Sequence, residues 1–213
     1  MVKLVIFDMD GLMFDTESVM YRAFDQSAKE WGLESSYEIF TSLVGIDMRT
    51  ACARYHELYG EEMEAKRFYR YVGQKMQKIF EEDGVPMKPG LMELLDAIDE
   101  KGIKKIIASG SPVDSILRNI TQHGIAHRFD AMISSSEVER GKPFPDLFLE
   151  ACKRMNTDPA EALVLEDSDA GIRAAHAGAI PVIGIPDIIP LKQEVKDMCQ
   201  TVGETLVDVI PFL

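Results

Sequence analysis

Short apolar runs alternate with amphipathic stretches from about residue 89 onward, and this alternation limits the fold more than any other feature of the chain. The runs have the length and the flanking turn residues of buried strands, whereas the stretches between them repeat apolar residues at helical spacing. A similar run opens the chain. The runs occupy residues 3–7, 104–108, 130–134, 162–165 and 181–185. Strands that alternate with helices form a parallel sheet with helices on both faces, so the sequence predicts an α/β fold.

Residues 17–83 differ from this pattern, because no strand signal interrupts them. Three stripes of apolar residues recur there at helical spacing. The stripes are Val19, Met20, Ala23, Phe24, Ala28 and Trp31; Met48, Cys52, Tyr55 and Tyr59; and Phe68, Val72, Met76 and Phe80. We predict that residues 17–83 form an all-helical domain, inserted after the first strand of a core made of residues 1–16 and 84–213.

Two aspartates, Asp8 and Asp10, follow the first apolar run. Ligands of parallel α/β sheets bind at the carboxyl ends of the strands, and side chains at i and i+2 point to the same side of an extended chain. Two neighbouring carboxylates repel each other unless a cation or a shared proton relieves them. Hard oxygen ligands suit Mg²⁺, so the pair predicts a magnesium site.

Polar residues also follow the next three runs. Ser109 ends the second run, Lys142 lies in the segment after the third, and Glu166 and Asp167 follow the fourth. These side chains should meet at the same edge of the sheet as Asp8, because the strands are parallel. They are suited to binding a metal ion or a phosphate group.

Together these motifs resemble the four-motif signature of the haloacid dehalogenase superfamily, and more closely its phosphatase and β-phosphoglucomutase-like branch. The residues that carry the resemblance are Asp8-Met9-Asp10-Gly11 continuing to Asp15-Thr16, then Ser109, Lys142 and Glu166-Asp167-Ser168. The resemblance extends over essentially the whole chain. It implies a Rossmann-like core with a helical cap inserted after the first strand.

The resemblance assigns roles to the acidic residues. Asp8 would be the nucleophile, since a carboxylate is ionised at neutral pH and needs no base to attack phosphorus. Asp10 would protonate the leaving group and then deprotonate water. Dehalogenase members lack this second carboxylate, so Asp10 favours phosphoryl transfer. The implied Mg²⁺ would be held by Asp8, the backbone carbonyl of Asp10 and Asp167. Glu166 would be a further ligand or a support beside the metal.

The phosphate-binding group is expected to come from the second and third motifs. Ser109 would offer its hydroxyl to the phosphoryl group, and the amides of Gly110 and Ser111 would line the same concavity. Ser111 is also expected to cap a helix that begins at Pro112. Lys142 would offset negative charge on the phosphoryl oxygens.

Three further residues complete the predicted binding set. Gly11 lies beside the aspartate pair, and Thr16 resembles the family residue that reaches the substrate at the first hinge. Arg49 lies in residues 44–49, which resemble the cap segment that contacts the distal part of the substrate. The alternative for Arg49 is a surface arginine at the start of a helix.

The function expected from this pattern is a Mg²⁺-dependent phosphomonoester hydrolase for a small phosphorylated metabolite such as a sugar phosphate. An alternative is a hexose-phosphate mutase of the β-phosphoglucomutase type. Those mutases carry a cap histidine where this chain has Met20, and a lysine where it has Pro112, which favours the phosphatase. A third and weaker alternative is a signalling module that accepts phosphate on an aspartate.

Charge and composition argue against several classes of binding partner. The formal net charge of −13, without a basic cluster, argues against nucleic-acid binding. No apolar stretch approaches the roughly 20 residues of a membrane span. Cys52, Cys152 and Cys199 lack metal-ligand spacing and are expected to be reduced thiols. The chain enters a strand directly, so we expect no signal peptide and a cytoplasmic location.

Overall fold

The computed structural model describes residues 1–44, 46 and 48–213. The chain forms two compact units. Residues Met1–Asp15 and Pro86–Leu213 form the first, which we call the sheet unit, and Thr16–Val85 form the second, which we call the helical unit. That these units act as a catalytic core and a cap stays a prediction. Among the helices of the described residues, none is both long enough and apolar enough to cross a membrane.

The sheet unit contains six parallel strands in the order β3-β2-β1-β4-β5-β6. The strands are β1 (Leu4–Phe7), β2 (Lys104–Ser109), β3 (Ala131–Ser134), β4 (Ala162–Glu166), β5 (Val182–Gly184) and β6 (Thr201–Val202). The first five correspond to the predicted apolar runs. The predicted fold class, a Rossmann-like α/β sheet with an all-helical insertion after β1, is confirmed.

Helices connect these strands and make up the helical unit. The helices of the helical unit are α1 (Thr16–Glu30), α2 (Tyr37–Thr41), α3 (Met48–Tyr59) and α4 (Ala65–Glu82). Those of the sheet unit are α5 (Leu91–Glu100), α6 (Val113–Gln122), α7 (Asp146–Arg154), α8 (Asp169–Ala177) and α9 (Gln193–Lys196). Short 3-10 helices lie at Ala126–Arg128, Ser135–Glu137, Pro159–Glu161 and Leu206–Phe212.

Both faces of the sheet are buried. On one face, Leu4 and Ile6 pack in a single apolar cluster with Leu147 of α7 and Ile172 of α8. Alternate strand residues point to the opposite face, and these are equally buried: Val5, Phe7, Ile107, Leu165 and Ile183 are all fully inaccessible. Burial on both sides explains why the strands read as continuous apolar runs.

The helical unit has its own aromatic core, centred on the fully buried Phe68 of α4. The ring of Phe68 lies 5.2 Å from that of Trp31, 5.1 Å from that of Tyr55 and 6.2 Å from that of Phe24. These residues belong to the three predicted stripes, so the stripes face one another. The unit therefore has a hydrophobic core independent of the sheet.

Candidate active site

The centre of the sheet places Asp8 at its carboxyl edge. Strand β1 lies between β2 and β4, with Phe7 beside Ile107 and Leu165. The N–H of Asp8 continues the ladder by donating to the carbonyl of Leu165 at 3.1 Å. Asp8 therefore leaves the sheet between the ends of β2 and β4, the two strands that carry Ser109 and Glu166.

Gly11 turns the chain immediately after the aspartate pair. Its φ of +82° lies in the left-handed region, which side chains other than glycine rarely adopt. A methyl group at this position would overlap the carboxylate of Asp167. Gly11 therefore lets the end of β4 bring Asp167 close to the loop after β1.

Lys142 lies between two buried carboxylates. Its ammonium group donates hydrogen bonds to Asp8 and to Glu166 and lies 5.0 Å from the centre of the Phe148 ring. The Glu166 side chain is fully buried, and those of Asp8 and Lys142 are 8% and 13% exposed. The three predicted motifs thus meet around one ammonium group.

Together, burial and neighbouring charges raise the pKa values of both Asp8 and Lys142. Burial raises the pKa of Asp8 to about 7, and Glu166 and Asp10 add to the rise, while Lys142 opposes it. Burial alone would lower the pKa of Lys142, but attraction to Asp8 and Glu166 outweighs it and raises that pKa. Lys142 is therefore charged at neutral pH. Because Lys142 only partly offsets the effect of burial on the Asp8 pKa, a cation bound beside Asp8 would favour its ionised form.

Asp10 is joined to two serines at the end of β2. Its Oδ2 atom accepts a hydrogen bond of 2.6 Å from the Ser111 hydroxyl and a longer one of 3.3 Å from the Ser109 hydroxyl. The Ser109 hydroxyl also accepts from the N–H of Ser111 at 3.0 Å. Ser109 is fully buried, so this contact fixes the loop beside Asp10.

The expected capping role of Ser111 is wrong. Helix α6 begins at Val113, one residue later than predicted, with Pro112 in the cap position and no side-chain capping bond. Ser111 instead donates its hydroxyl to Asp10. A side-chain cap accepts from the first N–H groups of the helix, and Pro112, which occupies the cap position of α6, has no side-chain acceptor.

Two serines at the end of β3 hold this loop, and the sequence analysis did not identify them. Ser134 donates to the carbonyl of Ser111 at 2.7 Å, and Ser135 donates to the carbonyl of Gly110 at 2.9 Å. Ser134 lies directly beside Ser109 in the sheet register. The signal that could have found them is their position, since they too follow an apolar run.

The carboxylates fit a divalent cation. Asp8, Glu166 and Asp167 each offer an oxygen atom, and these atoms lie within 4.8 Å of one another. Among the described residues, these three carboxylates come together where Lys142 pairs with two of them, and carboxylate oxygens suit Mg²⁺. The residues present therefore match the magnesium expected from the sequence.

Both oxygens of the Glu166 carboxylate already accept hydrogen bonds. One of its oxygens accepts from Lys142, and the other accepts from the N–H of Ser168 at 2.9 Å and from its hydroxyl at 2.8 Å. A methyl group at Gly171 would overlap this carboxylate, so α8 packs closely over it. Of the two roles expected for Glu166, this geometry favours a support beside the metal over a direct ligand, because its carboxylate holds Lys142 and Ser168.

The remaining predicted residues lie in the helical unit. Thr16 is the first residue of α1 and is buried, whereas Arg49 is exposed near the start of α3. Gly45 and Asp47, within the predicted cap segment 44–49, lie outside the described residues. Met20 lines an apolar cavity of about 170 Å³ inside the helical unit. The substrate-binding roles of Thr16 and Arg49 stay predictions.

The raised pKa of Asp8 predicts a pH-dependent response to magnesium. In the metal-free protein, Asp8 gains a proton on folding, and this contribution to stability is complete below about pH 4 and is lost as pH rises through about 7. The slope is at most about 1.4 kcal/mol per pH unit. A metal ion binds the ionised carboxylate. Mg²⁺ at about 10 mM should therefore raise Tm more at pH 8 than at pH 6. Thermal melts of wild type and Asp8→Asn measure this difference, and an equal response at both pH values would contradict it.

Comparison with known proteins identifies the family. A sequence profile of the haloacid dehalogenase-like hydrolases matches residues 5–185. The chain therefore belongs to the haloacid dehalogenase-like hydrolases, and the resemblance inferred from its motifs is confirmed.

Two curated relatives agree with this assignment, and a solved structure shares the fold. The phosphorylated carbohydrates phosphatase of Thermotoga maritima is 28% identical over 179 residues, which cover 84% of this chain and 82% of that protein. The fructose-1-phosphate phosphatase YqaB of Escherichia coli is 26% identical over 183 residues, 85% of this chain and 95% of that protein. The crystal structure of β-phosphoglucomutase from Clostridium difficile matches the fold with a TM-score of 0.71 at 24% identity, covering 98% of this chain and 93% of that one. The predicted enzyme class, a phosphatase of the haloacid dehalogenase type, is confirmed by the family and its relatives.

Proposed function

We propose that the protein is a Mg²⁺-dependent phosphomonoester hydrolase that acts on a small phosphorylated carbohydrate through an aspartyl-phosphate at Asp8. The observation that carries this proposal is the ion-pair group of Asp8, Lys142 and Glu166, with Asp167 beside it, at the carboxyl edge of the sheet. A nucleophilic carboxylate, a fixed ammonium and a cation-binding group are what phosphoryl transfer to an aspartate requires.

The first step transfers the phosphoryl group to the protein. A carboxylate oxygen of Asp8 forms a bond to phosphorus while the bond between phosphorus and the ester oxygen breaks. Asp10, in its acid form, gives its proton to that oxygen, and the alcohol leaves. The hydroxyls of Ser109 and Ser111 hold the Asp10 carboxyl group in place through this step.

The second step returns the protein to its starting state. Asp10 is now a carboxylate and takes a proton from a water molecule, whose oxygen forms a bond to phosphorus. The bond between phosphorus and the Asp8 oxygen breaks, so inorganic phosphate is released and Asp10 again carries a proton. The same residue thus serves as acid and then as base.

Charge stabilisation comes from the groups around the phosphoryl site. Lys142 offsets negative charge on the phosphoryl oxygens and on Asp8, and the Gly110 amide would be a further donor. The Ser111 amide and the Ser109 hydroxyl already donate to Ser109 and to Asp10, so they would act by fixing the loop around the phosphoryl group. Asp8, Asp167 and the Asp10 carbonyl would hold Mg²⁺, with Glu166 holding Lys142. When bound, the ion would draw negative charge from the phosphoryl oxygens.

The substrate class follows from the relatives. The two curated phosphatases described above act, by their names, on phosphorylated carbohydrates and on fructose 1-phosphate. The direct experiment is a screen of sugar phosphates with Mg²⁺ and with EDTA, using Asp8→Asn protein to exclude contaminating phosphatases. We expect Mg²⁺-dependent release of inorganic phosphate. Conversion of β-glucose 1-phosphate to glucose 6-phosphate in the presence of a bisphosphate activator would instead support the mutase alternative.

Asp10→Asn should slow hydrolysis of a sugar phosphate by about 10²- to 10⁴-fold, because it removes the proton donor for the leaving alcohol. The rate of phosphoenzyme formation should fall much less with p-nitrophenyl phosphate, whose leaving group needs no proton. Rapid-quench measurements of phosphoenzyme formation on both substrates separate the two cases. The matched control is Asp169→Asn, which changes a partly exposed aspartate paired with Lys192 at 3.1 Å. An equal effect on both substrates would remove the acid role from Asp10.

A further inference from the structure

A second ion pair lies beside the loop after β1. Lys88 and Asp187 form it, although they are 99 residues apart in the chain. The backbone places Lys88 there, because its N–H donates to the carbonyl of Met13 at 2.8 Å. Asp187 follows β5 closely in the chain. The pair therefore joins the loop after β1 to the segment after β5, outside the four sequence motifs.

One oxygen of the Asp187 carboxylate has no hydrogen-bond partner within the part of the chain that the structure describes. Its Oδ1 atom accepts from Lys88, but among the described residues no donor lies within hydrogen-bond distance of the buried Oδ2 atom. The Asp187 side chain is only 9% exposed. A buried carboxylate oxygen without a hydrogen bond is costly, so this atom is suited to a partner that is not part of the chain.

The unpartnered oxygen is directed towards the proposed cation site. A methyl group placed on Gly11 would overlap the Asp167 carboxylate and would lie 3.5 Å from Asp187 Oδ2. The two carboxylates thus approach the same side of Gly11. The group of mutually close ligand atoms contains Asp8, Glu166 and Asp167, and Asp187 is not a member of it.

We propose that Asp187 is a positioning residue of the cation site. Its Oδ2 atom accepts a hydrogen bond from the hydration water of the cation that Asp167 binds, and Lys88 fixes the orientation of the carboxylate. Outer carboxylates of this kind orient the ligands of a metal and raise its affinity. The inference rests on the proposed function, because it requires cation binding beside Asp167.

The test measures cation affinity without turnover. Mn²⁺ is titrated into chelator-treated protein, and free Mn²⁺ is followed by electron paramagnetic resonance. Asp187→Asn keeps the shape of the side chain and removes its charge, and we expect it to raise the Kd for Mn²⁺ by about tenfold. The control, Asp169→Asn, removes the same charge from a partly exposed pair two residues from Asp167, and should change the Kd by less than about twofold.

Circular dichroism melts show whether each variant is folded, and Asp187→Ser replaces Asp187→Asn if the latter does not fold. In steady state, loss of Asp187 should raise the Mg²⁺ concentration needed for half-maximal rate while saturating Mg²⁺ restores kcat. An unchanged Mn²⁺ Kd would overturn the inference, as would equal weakening by Asp169→Asn, which would mean that only net charge matters. If wild type itself bound no Mn²⁺, the magnesium dependence of the proposed function would fail and the inference would fail with it.

Discussion

Asp8→Asn is expected to lower kcat by at least about 10⁴-fold, because it removes the atom that bonds to phosphorus. An amide is a poor nucleophile and a weaker cation ligand than a carboxylate. The fold should persist, since asparagine occupies nearly the same volume and no longer requires a buried charge. Stopped-flow or steady-state phosphate release measures the rate, and thermal melts measure the stability.

A change near the site that leaves the machinery intact provides the control. Asp169→Asn removes a carboxylate from the first turn of α8, where it pairs with Lys192. This variant should keep kcat close to that of wild type. A kcat of Asp8→Asn close to that of wild type would mean that the attacking group is another residue or a water molecule.

Lys142→Met should destabilise the metal-free protein by about 3–5 kcal/mol, because it leaves two buried carboxylates without their shared cation. Asp8 and Glu166 both accept from the Lys142 ammonium, and the Glu166 side chain is fully buried. The variant should also lower kcat by about 10²- to 10³-fold, since it removes a fixed positive charge from the phosphoryl site. Urea unfolding in EDTA measures the first effect, and phosphate release at saturating Mg²⁺ measures the second.

A double variant separates stability from catalysis. Glu166→Gln removes one of the two carboxylates, so Lys142→Met combined with Glu166→Gln should be more stable than Lys142→Met alone. The double variant should remain as inactive as the single one, because the charge on the phosphoryl group is still not offset. Recovery of activity together with stability would show that Lys142 acts only through folding.

The sheet and the acidic end of β1 could be predicted because strong local patterns define them. Fully buried strands give continuous apolar runs, and parallel strands bring their carboxyl ends to one edge. Asp8, Ser109, Lys142 and Glu166 all follow such runs, so their meeting point was predictable from order alone. The precise partners were not predictable. Glu166 holds Lys142 and Ser168 because their side chains converge in three dimensions, and no spacing in the sequence encodes this.

Elements without a long pattern escaped prediction. Helix α2 spans only five residues, which is too short for an apolar stripe. It depends on a capping bond of 3.2 Å from the N–H of Ile39 to the Ser36 hydroxyl. Strand β6 has two residues. The Lys88–Asp187 pair joins segments 99 residues apart, and neither residue follows a recognisable motif. Tertiary packing decides such features, whereas local propensity does not.

Direct detection of the covalent intermediate is the most demanding measurement of the proposed mechanism. Asp10→Asn protein, whose phosphoenzyme should break down slowly, is mixed with Mg²⁺ and ³²P-labelled p-nitrophenyl phosphate, whose leaving group needs no proton, then quenched in acid within milliseconds and digested. Mass spectrometry of the labelled peptide should find one phosphoryl group on Asp8. Label on any other residue, or turnover without label on the protein, would contradict the assignment of Asp8 as the nucleophile.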